Sequence, residues 1–236
     1  MPGTLYLIPC PIADEGDVWD VLPAANRAVM AALDYFIVEN TRSARRFLSR
    51  AKLGLSIDEL EFRELNEHTV AGREVEELIA PIEAGRSAGV ISEAGVPGVA
   101  DPGALVVAMC HRRGIRVVPL VGPSSILLAM MASGLNGQSF AFNGYLPVKP
   151  DERARAIRTF ERRAHAEHQA QLFIETPYRN VKLVEQLLQI CAPDTLLTIA
   201  KDLTAPDETV ITRRIADWRR SQLPELNKRP AIFILG

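Results

Sequence analysis

Three short segments carry residue types able to do chemistry. The densest is Ser92-Glu93-Ala94-Gly95-Val96-Pro97-Gly98-Val99-Ala100-Asp101-Pro102-Gly103, between an apolar strand and an apolar helix. A loop this rich in Gly and Pro presents main-chain amides and carbonyls without large side chains in the way. The carboxyl end of a parallel strand is also where open α/β sheets take their ligands. The second segment, Glu39-Asn40-Thr41-Arg42, ends another apolar run. It offers a carboxylate that could accept a proton and a guanidinium whose planar fork suits a phosphate, or an acid such as Glu39 itself. Arg45, Arg46 and Arg50 continue along the helix that follows. The third, Glu175-Thr176-Pro177-Tyr178-Arg179, again sits where a strand hands over to a helix. With Glu39, the carboxylate of Asp101 and the amine of Lys201 are the candidate proton acceptors.

Several chemistries are excluded by what surrounds these groups. The spacing of Gly98 and Gly103 suggests a phosphate loop, but Ala104 and Leu105 stand where the lysine and hydroxyl would be needed. No G-x-G-x-x-G follows a strand and no G-x-S-x-G elbow is present. His68, His111, His165 and His168 form no ligand spacing, so no metal is expected, and His165 and His168 read as solvated side chains of one helix. Cys10, Cys110 and Cys191 make no C-x-x-C pair and read as free thiols.

The elements that must position these groups alternate between strand and helix. Leu5–Ile8, Tyr35–Val38, Gly89–Ser92 and Ile115–Val118 read as strands with helical stretches between most of them, the pattern of a parallel sheet. Asp17 and Thr41 can cap helices, and Gly114 can stop one. Later come strand Ser139–Phe142, basic helix Asp151–Ala166, strand Gln171–Ile174, helix Arg179–Ile190, then closely spaced strands Leu196–Ala200, Glu208–Thr212 and Ala231–Leu235. Their closeness implies antiparallel pairing and a mixed sheet. The fold class is therefore α/β, with a parallel-sheet domain over residues 1–135 and a mixed-sheet domain over 136–236.

Bulk composition narrows the partners. The 236 residues, 47% hydrophobic, can build a large core without disulfides. A net charge of −2 supplies no global attraction for polyanions, so any such contact needs a local patch. Two arginine-rich helices are available: Arg42, Arg45, Arg46 and Arg50 on one, and Arg153, Arg155, Arg158, Arg162 and Arg163 on the other. Glu152, Glu161 and Glu167 dilute the second, which reads as an ordinary solvated face. No run is long enough to span a bilayer and no export signal opens the chain, so the expected location is the cytoplasm.

Taken in order, the loops resemble those of the tetrapyrrole methylase superfamily of S-adenosylmethionine (SAM) dependent methyltransferases, and most of all its enzymes that methylate a ribose 2′-hydroxyl of small-subunit ribosomal RNA. Their T-P-I-G-N-x-x-D loop is similar to Cys10-Pro11-Ile12-Ala13-Asp14-Glu15-Gly16-Asp17, their E-D-T-R to Glu39-Asn40-Thr41-Arg42, and their E-H-N to Glu67-His68-Thr69. S-D-A-G-T-P-G-I-S-D-P-G matches Ser92 to Gly103, and P-G-P-S-A matches Val121-Gly122-Pro123-Ser124-Ser125. G-F-L-P, E-S-P-H-R and R-E-L-T match Gly144-Tyr145-Leu146-Pro147, Glu175 to Arg179 and Lys201-Asp202-Leu203-Thr204. The sequence departs from this pattern at Ala13, Asn40, Glu93 and Tyr178. It stops at Gly236, right after the last expected strand, where the ribosomal enzymes commonly carry a further helical segment.

The resemblance implies two α/β domains with SAM in the cleft between them, usually in a homodimer. It implies cofactor contacts from Pro9, Cys10, Glu93, Ala94, Gly95, Val96, Ser124, Ser125, Thr176 and Ala200, and a 30S subunit or its RNA as partner. Methyl transfer from a sulfonium depends mostly on placing the acceptor in line, so few catalytic groups are expected beyond Glu39, Arg42, Asp101 and Lys201. Two alternatives stay open: carbon methylation of a tetrapyrrole or other small molecule, and a non-catalytic SAM-binding protein.

Overall fold

The computed structural model describes residues 1–65 and 72–236, and the Glu67-His68-Thr69 segment lies outside them. The chain divides into two compact units, Met1–Ser124 and Ser125–Gly236.

The first unit runs β1 (Thr4–Ile8), α1 (Asn26–Ala31), β2 (Tyr35–Val38), α2 (Thr41–Arg50), β3 (Glu61–Glu64), α3 (Arg73–Glu83), β4 (Ala88–Ile91), α4 (Gly103–Arg112) and β5 (Arg116–Pro119). Its strands pair in the order β3-β2-β4-β1-β5, every pairing parallel. Strand residues point alternately to the two faces, and here both faces are covered. Tyr35 and Ile37 join Val75, Ile79, Val106 and Met109 from α3 and α4, whereas Phe36 and Val38 join Met30, Phe47 and Leu48 from α1 and α2. This double cover is why β2 and β4 read as unbroken apolar runs. The Tyr35 hydroxyl, buried among them, donates to the Leu78 carbonyl at 2.8 Å.

Helix α2 begins one residue earlier than a Thr41 cap would place it. Asn40 is the cap, its side-chain oxygen accepting from the amides of Arg42 (2.9 Å) and Ser43 (3.2 Å). Asn and Asp cap equally well, so the departure at Asn40 leaves this job intact. Ala13 has no left-handed φ to strain it; that conformation falls to Gly16. Strand β3, absent from the expected set, completes the edge beside β2. Between β1 and β4 the chain leaves in opposite directions, to β2 and to β5, which makes their carboxyl ends the topological switch point.

The second unit runs α5 (Ser125–Ser133), β6 (Phe140–Tyr145), α6 (Pro150–Glu167), β7 (Ala170–Ile174), α7 (Asn180–Ile190), β8 (Leu196–Lys201), β9 (Thr209–Arg214), α8 (Ile215–Trp218) and β10 (Ala231–Leu235). The strand order is β6-β7-β10-β8-β9, with only the β6–β7 pairing parallel. On one face Ala129 and Met130 of α5 cover Leu172, Ile232 and Ile234. On the other, α6, α7 and α8 cover Phe173, Phe233, Leu197 and Ile199. The packing of α5 on this sheet is why the units divide at Ser124/Ser125, before residue 135.

Candidate active site

Three strand ends of the first unit are joined into one structure. After β1, Pro9 leads to Cys10, whose amide donates to the Gly95 carbonyl at 2.8 Å while the Gly95 amide returns a bond to Cys10 at 3.2 Å. The Cys10 thiol donates to the Ser92 carbonyl at 3.4 Å. Burial, reinforced by the negative charge of Glu39, pushes this thiol far above its ordinary range, so it stays protonated and is no nucleophile. After β2, the Glu39 carboxylate accepts through Oε2 from the Glu93 amide at 3.0 Å. The Glu93 side chain in turn accepts from the Ser43 hydroxyl at 3.2 Å. Sequence reasoning did not single out Ser43, which a helix-start position opposite Glu93 brings into play. Gly122 lies so close to β1's exit that a Cβ there would overlap the Pro9 ring.

The Ser92–Gly103 loop is held in shape by Asp101. Its Oδ1 accepts from the amides of Gly98 (2.8 Å) and Gly103 (2.6 Å), the latter opening α4. Gly98 has φ of +83°, a conformation that favours glycine. Asp101 Oδ2 is buried and accepts no hydrogen bond among the described residues. Burial raises the Asp101 carboxyl above the usual carboxylate range, and its two backbone bonds only partly offset this. Glu39 is raised as well, first by burial and then by the charges of Asp101 and Glu93, against the lowering bond from the Glu93 amide. Two carboxylates of enhanced proton affinity therefore stand at neighbouring strand ends. Asp101 is occupied as a loop clasp, leaving Glu39 the better placed to accept a proton from outside.

Arg42 is exposed in the first turn of α2, and among the described residues its side chain makes no ion pair, with Glu39 or otherwise. The other arginines of that helix are engaged in place: Arg45 pairs with Asp58, Arg46 with Asp14 at 3.1 Å, and Arg50 lies 3.7 Å from Asp14 and donates to the Gly16 carbonyl at 2.9 Å.

In the second unit Thr176 and Lys201 lie at one end of the sheet, flanking the start of β10: Ile232 pairs with both Ile174 and Ala200, and Ala231 with Lys201. Ala200 is fully buried in a strand paired on both sides, with Ile232 and Val210 as its neighbours, so the structure leaves it no exposed group for a cofactor contact. The buried Lys201 ammonium donates to Asp202 at 2.8 Å, and Arg229 closes the cluster onto Asp202 and Asp207. Glu175, its side chain wholly buried, accepts from the Thr176 amide at 2.7 Å and from Arg179 at 2.5 and 2.9 Å. Ser125 opens α5. His165 is exposed, but its Nε2 lies 3.1 Å from the Thr195 hydroxyl. Among the described residues no group of three or more His, Cys, Asp or Glu could hold a metal ion.

The sequence profile of the tetrapyrrole (corrin/porphyrin) methylases matches residues 5–218. The chain is 31% identical to a ribosomal RNA small subunit methyltransferase I of Xylella fastidiosa, covering 99% of this chain and 81% of that protein. It is 31% identical to the protein of the same name from Escherichia coli O157:H7, covering 99% and 77%. Among solved structures it superposes on the methyltransferase CobJ with a TM-score of 0.64 at 18% identity over 99% of this chain and 94% of that one. A uroporphyrin-III-C-methyltransferase from Thermus thermophilus gives 0.55 at 20% identity, covering 100% and 93%. Both likenesses show the fold.

The methyl donor of the family is SAM, and the residues at the joined strand ends fit it. Asp101 Oδ2 is a buried acceptor with no hydrogen-bond donor of its own among the described residues, and Glu39 adds a second carboxylate. Such a set suits a small ligand with hydroxyl, amine and sulfonium groups. By its profile match and the identity it shares with its relatives, the chain belongs to the tetrapyrrole (corrin/porphyrin) methylase family and is a SAM-dependent methyltransferase.

Proposed function

We propose that the protein methylates a ribose 2′-hydroxyl of small-subunit ribosomal RNA, acting on the 30S subunit in the cytoplasm as a homodimer. The observation that carries this reading is the identity, 31% over 99% of the chain, to proteins named ribosomal RNA small subunit methyltransferase I. No helix of the described residues is long and apolar enough to cross a membrane.

In this reading Pro9, Cys10, Glu93 to Val96 and Ser124 bind the donor, largely through main-chain groups. SAM, when bound, supplies an electrophilic methyl carbon on a good leaving group. Glu39 takes the proton that a 2′-hydroxyl must shed as its oxygen becomes methylated; its raised proton affinity is what a general base working near neutral pH needs. Asp101 keeps the loop in its binding shape, and Arg42 offers its free fork to a substrate phosphate.

The test is transfer of tritium from labelled SAM to 30S subunits of a strain lacking its own methyltransferase of this type, with wild-type subunits as the blank. Label in ribosomal RNA of the first and not the second supports the reading. Label only in a low-mass product, or none, overturns it.

A further inference from the structure

Two helices look alike in sequence, each rich in arginine and sprinkled with acids nearby. The structure sorts them differently. Of the α2 arginines, Arg45, Arg46 and Arg50 are engaged by Asp58, Asp14 and the Gly16 carbonyl, and Arg42 alone is left unpaired among the described residues. Along α6 the acids are the ones removed. Glu161 faces inward, where it accepts from the Ala192 amide at 2.6 Å and from the Thr195 hydroxyl at 2.5 Å. Glu152 pairs with Lys149 at 3.1 Å, and Asp151 and Glu167 lie at the helix ends. Arg153 is buried against Gln186. That leaves Arg155, Arg158, Arg162 and Arg163 exposed, and among the described residues none of them makes an ion pair or hydrogen bond through its side chain.

Spacings of three and four put Arg155, Arg158 and Arg162 on one stripe of the helix, spanning about 10 Å of its axis at ~1.5 Å per residue, with Arg163 beside them. Unpaired cations held in a row on a rigid helix, in a protein whose net charge is −2, form a local electropositive face. Guanidinium forks match phosphate oxygens in geometry as well as charge.

We propose that this stripe of α6 docks the sugar–phosphate backbone of the RNA substrate, with Arg155, Arg158 and Arg162 each meeting a phosphate. The proposal rests on the RNA reading above. It places the stripe in substrate positioning, apart from methyl transfer itself.

The test compares the native protein with a variant carrying Arg155→Gln, Arg158→Gln, Arg162→Gln and Arg163→Gln, and with the matching Arg→Lys variant, after equal urea midpoints show that all three fold alike. Binding to 30S subunits and to poly(U) is measured between 50 and 200 mM salt. Three single-strand phosphate contacts contribute roughly 2 to the slope of log affinity against log salt, since each is worth about 0.7. The native protein should therefore lose about twentyfold more affinity over that range than the Gln variant. The Lys variant should restore most of the slope. KM for 30S should rise in the Gln variant with kcat and SAM affinity unchanged. Equal slopes for native and Gln proteins overturn the proposal, as does a slope difference seen with anionic vesicles but not with RNA. If native 30S methylation is absent while poly(U) binding shows the slope difference, the substrate assignment fails and the docking face stands.

Discussion

The Glu39 carboxylate accepts the Glu93 amide at 3.0 Å across 54 residues of sequence, tying the end of β2 to the start of the loop that follows β4. A glutamine at position 39 can keep that bond through its carbonyl oxygen but cannot take up a proton. Glu39→Gln should therefore leave the urea midpoint nearly unchanged while methyl transfer at saturating SAM falls ~10²–10⁴-fold. The native rate should fall toward acid with an apparent pKa above the ordinary carboxylate range, because burial and neighbouring charge hold the proton on Glu39 and only the ionised form works as a base. A variant that keeps both the rate and the acid limb would remove Glu39 from the chemistry.

Asp101 is a different kind of acid. Asp101→Ala removes an acceptor from the amides of Gly98 and Gly103 and should cost about 2–3 kcal/mol in urea unfolding. Asp101→Asn keeps the acceptor. Since the folded-state pKa of Asp101 is raised, its contribution to stability is fully present below the unfolded value and is lost as pH rises through the folded one. The Asn variant should thus gain on the native protein as pH rises above the ordinary aspartate range. The opposite trend would refute the clasp as described.

The carboxyl edge of the second sheet contains a buried acid that depends on one partner. Arg179→Ala strands Glu175 with a single backbone donor and Arg153 at 4.0 Å, and should cost about 3 kcal/mol. Arg179→Lys should recover only part of this, because Nε and Nη2 both reach the same oxygen and an ammonium cannot occupy both positions. Adding Glu175→Gln to Arg179→Ala should recover more than the lysine does. Equilibrium unfolding of the four proteins decides it.

All three cysteines are buried, and burial pushes the thiol of Cys110 up to about 11 and that of Cys191 to about 12. Cys10 goes up as well. At pH 8 the folded protein should be inert to a disulfide reagent such as DTNB and release three equivalents only after unfolding. Rapid labelling of Cys10 in the native state would contradict the bridge between Cys10 and Gly95.

How much of this is readable without a structure depends on how local the cause is. Tyr35–Val38 announces a strand because both its faces are buried, so all its residues are apolar. Glu61-Phe62-Arg63-Glu64 announces nothing: it is an edge strand with three charged residues, held by its pairing to β2 and by Phe62 stacked on Phe36 at 5.7 Å. Asn40 and Thr41 are both good caps, and only the backbone angles choose between them. Asp101 bonds residues three before and two after it, so its clasp could have been suspected from the chain alone. The Glu39–Glu93 tie and the inward turn of Glu161 toward Thr195 could not, since each is made by elements distant in sequence. The arginines of α2 and α6 were equally visible as letters; which ones stay free is a matter of tertiary neighbours.

Strand β10 lies in the middle of its sheet, between β7 and β8, although both precede it in the chain. While the polypeptide is being synthesised, Leu172 and Phe173 on one side and Leu197 and Ile199 on the other lack their lateral neighbour until residues 231–235 leave the exit tunnel. The amino-terminal unit needs only upstream strands and can close early, but its companion must wait as two open-edged halves. Nascent chains halted before that strand should be trapped by holdase chaperones or pair with one another, and a pause in translation there would be more hazardous to the protein than one at the boundary after Ser124.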